Sequence, residues 1–116
     1  MKIIVQIDAI PQGRPRFYQG VAVDPPKCKK FKQDFALLIK SQYHDDPLND
    51  SVCVSIKIYR NFNKSTNKRY GDIDNLAKAI LDACNGILWR DDSQIVDLHI
   101  VKHITDFKPY VELIIY

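Results

Sequence analysis

Apolar and polar residues alternate one by one over residues 2 to 8. Ile3, Val5 and Ile7 fall on one side and Lys2, Gln6 and Asp8 on the other, the signature of a half-buried strand. The alternation stops at Pro11 to Tyr18 (PQGRPRFY). Two prolines and a glycine predict a loop there, holding Arg14 and Arg16 in stiffened, extended backbone. From Asp24 the period lengthens to that of a helix. Asp24 followed by Pro25 and Pro26 reads as a cap with proline in the first turn, and Cys28, Phe31, Phe35 and Leu38 share an apolar face in a helix running to about Tyr43.

Residues 44 to 50 read as turn, after which Val52, Val54, Ile56 and Ile58 alternate with Cys53, Ser55, Lys57 and Tyr59 as a second strand. The run RNFNKSTNKRYG has no apolar period and is expected to be a long basic loop. A second helix is predicted from about Ile73 to Asn85, with Ile73, Leu76, Ala77, Ile80 and Cys84 inward and Gly86 as its stop. The connection ILWRDDS then leads to a third strand over about 94 to 104, with Val96, Leu98 and Ile100 on one face. A turn at 106 to 109 precedes a last strand at 110 to 116. The predicted order is β-α-β-α-β-β: one α+β domain over 1–116, a small mixed β-sheet with two helices packed on it.

Composition narrows the class. With 116 residues and 46% hydrophobic content the chain suits one folded domain. No apolar run approaches the roughly 20 residues of a membrane span, and the start KIIVQI lacks the marks of a secretory leader, so a cytoplasmic location and no membrane partner are expected. Cys28, Cys53 and Cys84 are too widely spaced for a metal-ligand pair and are expected to be buried thiols. His99 and His103 would stand roughly 13 Å apart on a strand, which excludes a shared zinc ion; His44 is the third histidine.

The net charge of +3 matters less than its distribution. Residues 14 to 40 carry seven basic and two acidic side chains, and residues 57 to 70 five basic and none acidic. From residue 71 onward there are four basic and eight acidic. A protein that holds a polyanion while gathering carboxylates around a cation would be divided this way; a solvated surface could be too. Lys27, Lys29, Lys30 and Lys32 crowd the start of the first helix against its macrodipole, which suits phosphate contacts there.

The candidate chemistry lies in the acidic part. Asp72 and Asp74 flank the start of the second helix in the run DIDNLAK. One aspartate there is an ordinary cap, but only one can be the cap, and the pair offers oxygens to a hard divalent cation such as Mg²⁺. Lys78 lies one turn beyond Asp74 on the same face, positioned for a salt bridge or for stabilising charge on a phosphate. Asp91 and Asp92 follow Trp89 and Arg90, where the chain can return toward the N-terminal end of that helix. A DD pair is often only a turn signal, but three or four carboxylates gathered together would call for a cation. Asp97 is a possible outer member.

A D-x-D-N-L-x-K helix start, then W-x-D-D and a strand opening S-Q-I-V, resembles the RusA family of Holliday-junction resolvases. The likeness is close over residues 71 to 102, and Gly13-Arg14-Pro15-Arg16 is similar to an N-terminal arginine segment of some relatives. The resemblance implies a homodimer that binds four-way branched DNA and a Mg²⁺-dependent endonuclease, with Mn²⁺ able to substitute, leaving symmetric nicks. Residue by residue, it implies Asp72, Asp74 and Asp92 as metal-binding catalytic carboxylates, with Asp91 the alternative to Asp92, and Lys78 as the catalytic lysine. Arg14, Arg16, Lys29, Lys30, Lys64, Lys68 and Arg69 are the candidates for phosphate contacts.

Rival classes fare worse. A haloacid-dehalogenase-like phosphatase needs its D-x-D after a buried strand, whereas Asp72 follows a hydrophilic loop. An EF-hand needs oxygen ligands and a glycine where Leu76 and Ala77 stand. A non-catalytic module that grips branched DNA is the remaining alternative.

Overall fold

A computed structural model gives the protein's structure and describes residues 1–13, 16–61 and 72–116. The chain runs β1 (Lys2–Val5), β2 (Arg16–Tyr18), β3 (Val21–Val23), α1 (Pro26–Lys40), β4 (Val52–Asn61), α2 (Ile73–Cys84), a 3-10 turn (Asp92–Gln94), β5 (Ile95–Thr105) and β6 (Tyr110–Ile115). The α+β class and the order of the main elements are as predicted. The addition is the β2–β3 hairpin, part of which falls in the segment read as loop. Its two-residue connection, Gln19-Gly20, has positive φ at both positions (51° and 80°), the backbone that a tight hairpin needs. Phe17, Tyr18, Val21 and Val23 are all exposed, so no buried face announced these strands.

The main sheet has the order β1-β6-β4-β5. β4 pairs with β6 antiparallel and with β5 in parallel, and β1 closes the other side against β6. Because β4 and β5 point the same way, α2 must carry the chain back between them. Its N-terminus therefore lies at the end where β4 finishes, and its C-terminus at the end where β5 begins.

One face of the sheet is the core face. Val52, Val54, Ile56 and Ile58 of β4 lie there with Ile3, Val5, Val111, Leu113 and Ile115, each on alternate positions as the strand period requires. The helices meet that face with Cys28, Phe31, Phe35 and Ile39 from α1 and Leu76, Ile80 and Cys84 from α2. Cys28 and Cys84 are buried and Cys53 half-buried, all three as free thiols.

Three details differ from the sequence reading. Ile73, expected to face inward, is exposed at the start of α2. Asp24 does not cap α1: Pro25 holds the cap position, and the Asp24 carboxylate instead accepts from Lys32 Nζ at 2.9 Å and Gln12 Nε2 at 3.0 Å. α1 also ends at Lys40, where Ser41 and Tyr43 N–H groups still bond back to the carbonyls of Leu37 and Ile39.

Candidate active site

The start of α2 carries the first pair. Asp72 occupies the N-cap position, but its carboxylate accepts no cap hydrogen bond, and Asp74 follows in the first turn. Both are exposed. Here the ordinary structural use of a helix-start aspartate is absent, and both carboxylates face solvent where the positive end of the helix dipole favours anions. The Gln12 N–H donates to Asn75 O at 2.9 Å, which ties the chain just before Arg14 to the start of α2. Gly13 has to be small: a Cβ there would meet Pro25 Cγ at 2.8 Å.

The W-x-D-D segment is built from a buried anchor outward. Trp89 is fully buried and donates its indole N–H to Asn85 Oδ1 at 2.8 Å. Asp91 then caps the 3-10 turn by accepting from Ser93 N; hydrogen bonding from the Ser93 side chain, and after it from the Ser93 N–H, holds its carboxyl below the usual range. Gln94 locks the turn. Its Oε1 accepts from the N–H groups of Arg90 and Asp91, and its Nε2 donates to the carbonyls of Leu48 and Asp50. Arg90 Nε also donates to Asn49 Oδ1. With Asp91 committed to the backbone, Asp92 is the member that turns toward α2.

Asp92 does not reach the helix N-terminus. It faces Asp82 and, beyond it, Lys78; burial pushes its carboxyl up, repulsion from Asp91 and Asp82 adds to this, and Lys78 opposes it. The topology explains the placement, since β5 begins at the C-terminal end of α2. Asp74, Lys78 and Asp82 lie at four-residue intervals and line one side of α2, with the exposed pair at one end and Asp82 and Asp92 at the other. Among the described residues, no three His, Cys, Asp or Glu side chains stand close enough together to hold one ion. Asp82 was missed by sequence reasoning, although its spacing from Asp74 and Lys78 was a usable signal. Asp82 also accepts from Lys32 Nζ at 3.3 Å. Asp97 lies on the opposite face of the sheet from the helices, 3.2 Å from His99.

Of the basic candidates, Lys29 and Lys30 are exposed on α1, Lys30 in an ion pair with Asp34 at 2.7 Å. The backbone of Arg16 begins β2. Arg14, Lys64, Lys68 and Arg69 lie outside the described residues. Among the described residues no helix is long and apolar enough to cross a membrane.

The fold and this arrangement define a small, basic α+β protein with a carboxylate-lined helix. Residues 6–116 match the family Endodeoxyribonuclease RusA, and the chain belongs to it. It is also 31% identical, over 135 aligned positions covering 99% of the chain and 94% of the relative, to a protein of Bacillus subtilis (strain 168) described as "Uncharacterized protein YqaN".

Proposed function

We propose that the protein is a Mg²⁺-dependent, structure-specific endodeoxyribonuclease that acts as a homodimer on cytoplasmic DNA and resolves four-way junctions by paired symmetric nicks in recombination and repair. The observation that carries this reading is the D-x-D pair of a RusA-family chain, standing exposed and uncapped at the start of α2.

The donors suit the ion: Mg²⁺ takes one or two carboxylates and completes its shell with water and phosphate oxygens. Asp72 and Asp74 would hold it at the helix start; Asp92, the third proposed catalytic carboxylate, stands beside Asp82 at the other end of α2 and within one copy would ligate a second ion rather than this one. When bound, one or two such ions supply an activated water and neutralise charge on the phosphate. Lys78, midway along the line, would steady negative charge on the scissile group. Arg14, Arg16, Lys29, Lys30, Lys64, Lys68 and Arg69 would grip backbone phosphates, setting position rather than sequence.

A labelled synthetic four-way junction and a matched linear duplex, incubated with Mg²⁺ or EDTA and run on denaturing and native gels, test this. Paired nicks in the junction alone, lost in EDTA and reduced at least about a hundredfold by Asp74→Asn, are expected. Junction binding with no cleavage would identify a DNA-binding module instead, and undiminished cleavage by Asp74→Asn would remove the carboxylate assignment.

A further inference from the structure

Every residue of the β2–β3 hairpin from Phe17 to Val23 is exposed. Phe17 stands at 77%, Tyr18 at 73%, Val21 at 63% and Val23 at 40%. Pairing sets Phe17 opposite Ala22 and Tyr18 opposite Val21, and neighbouring residues of a strand point to opposite faces. Each face of the hairpin therefore presents one aromatic ring beside an aliphatic partner. Exposed apolar surface gathered on one element marks a binding site in a folded protein. The root of the hairpin, by contrast, is fixed. On the entering leg the Gln12 N–H donates to Asn75 O of α2 at 2.9 Å. On the leaving leg Asp24 accepts from Gln12 Nε2 at 3.0 Å and from Lys32 Nζ at 2.9 Å. The two legs are thus clamped to one another, to α1 and to the start of α2, while the rings stand in solvent.

Charge selects the occupant. Between residues 14 and 32 the sequence carries Arg14, Arg16, Lys27, Lys29, Lys30 and Lys32 against a single acid, Asp24, and Lys32 already holds that carboxylate. Like charge disfavours a second copy of this surface, whereas a nucleic acid satisfies both features, with phosphates for the cations and base faces for the rings. In a duplex the base faces are covered by their neighbours, so the bases open to Phe17 and Tyr18 are unpaired ones. We propose that the β2–β3 hairpin is a base-stacking arm, on which Phe17 and Tyr18 take unpaired bases of a branched or partly single-stranded DNA beside the candidate active site. This rests on the DNA reading given above and names the part of the DNA that the arm recognises.

Chain length keeps the arm near the carboxylates. Tyr18 follows Gln12 by six residues, so its backbone lies at most roughly 21 Å from the residue bonded to α2, or about six nucleotide steps along one strand. Asp74 directly precedes Asn75. A strand whose phosphate reached the D-x-D pair would therefore present its bases to the arm within the same few nucleotides. With one ring on each face, the hairpin can stand between two unpaired bases and stack on both. The arm favours gapped, flapped or opened DNA over a perfect duplex, and it does so without reading sequence, because every base has a ring face.

The test is binding in EDTA, where no cleavage step contributes, of the full chain to a perfect duplex and to the same duplex interrupted by a short single-stranded gap. The natural chain is expected to bind the gapped DNA more tightly. Phe17→Ser combined with Tyr18→Ser is expected to weaken binding to the gapped DNA about a hundredfold, each ring counting for about tenfold. Duplex binding should change by less than about twofold, because the phosphate contacts remain. An unchanged far-UV circular dichroism spectrum shows that the fold survives. Phe17→Trp keeps the stacking and supplies a reporter, whose fluorescence should be quenched by the gapped DNA and not by the duplex; Trp89 is fully buried and adds a constant background. Binding to neither DNA, equal loss on both, no loss on either, or an unquenched Phe17→Trp chain overturns the proposal. So does a fall in mass of the double variant by light scattering with its DNA preference intact, which would give the arm to a second copy. A chain that stacks gapped DNA on the arm yet cuts nothing in the cleavage gel loses the nuclease reading and keeps this one.

Discussion

Lys32 shows how a single side chain ties separate parts of this protein together. From the middle of α1 it reaches Asp24 before the helix and Asp82 on α2, at 2.9 and 3.3 Å. Burial works against its charge, but the two carboxylates outweigh it and raise its pKa. The same contact, with help from Gln12, holds the Asp24 carboxyl below its ordinary 3.8. A depressed folded-state pKa stabilises above the unfolded value and is lost as pH falls through the folded one. Lys32→Met is therefore expected to move the Asp24 titration upward, read by carboxyl NMR, and to cost about 1 kcal/mol near neutral pH after allowing for partial exposure. Cys84 offers a second check. Burial pushes its thiol far up, so it should resist alkylation in the native protein and react on unfolding, while half-buried Cys53 reacts first.

At the scale of elements, the short connection between α2 and β5 does more than join them. Gly86 follows the last turn with φ at +79°, a conformation that costs a side-chain-bearing residue about 1–2 kcal/mol. Gly86→Ala should lower stability by about that amount, and Gly86→Asn by less, measured by urea unfolding. Gln94 holds four backbone groups at once. Gln94→Ala should destabilise by about 1–3 kcal/mol and, under the proposed function, should reduce junction cleavage more than junction binding, because it releases the turn that aims Asp92. Gly13 belongs to the same scale. Gly13→Ala would press on the Pro25 ring and is expected to loosen the segment that leads into Arg14.

For the molecule as a whole, the separation of charge is the feature with the largest reach. If the basic residues of α1, with Arg14, Arg16, Lys64, Lys68 and Arg69, grip phosphates, junction affinity must fall steeply with salt. A plot of log K against log salt concentration should be linear, and each lysine removed from the grip should lower its slope by about 1. Lys29→Ala is the cleanest variant, because Lys30 is already paired with Asp34. The open face of the sheet has its own organisation: Tyr59 stacks between Tyr110 and His103, at centroid distances of 4.3 and 4.8 Å, and Glu112 is buried between Lys2 and Lys57.

The local pattern of the sequence determined the α+β class, both helices, the four strands of the main sheet, the stop at Gly86 and the acid-bearing motif, because period, proline, glycine and charge act within a few residues of themselves. What lay beyond that range belonged to tertiary structure. The hairpin at β2 and β3 has no buried face to impose an alternation. Asp24 looked like a cap because its neighbours are those of a cap, yet a lysine eight residues away claims its carboxylate. The alternation in β5 predicted an apolar face, but whether that face is covered depends on how far the helix layer extends. Asp92 meets Asp82 rather than the start of α2 because parallel pairing of β4 and β5 sends the connecting helix back along the sheet. No local signal carries strand order, and strand order alone decides which end of a helix its neighbour meets.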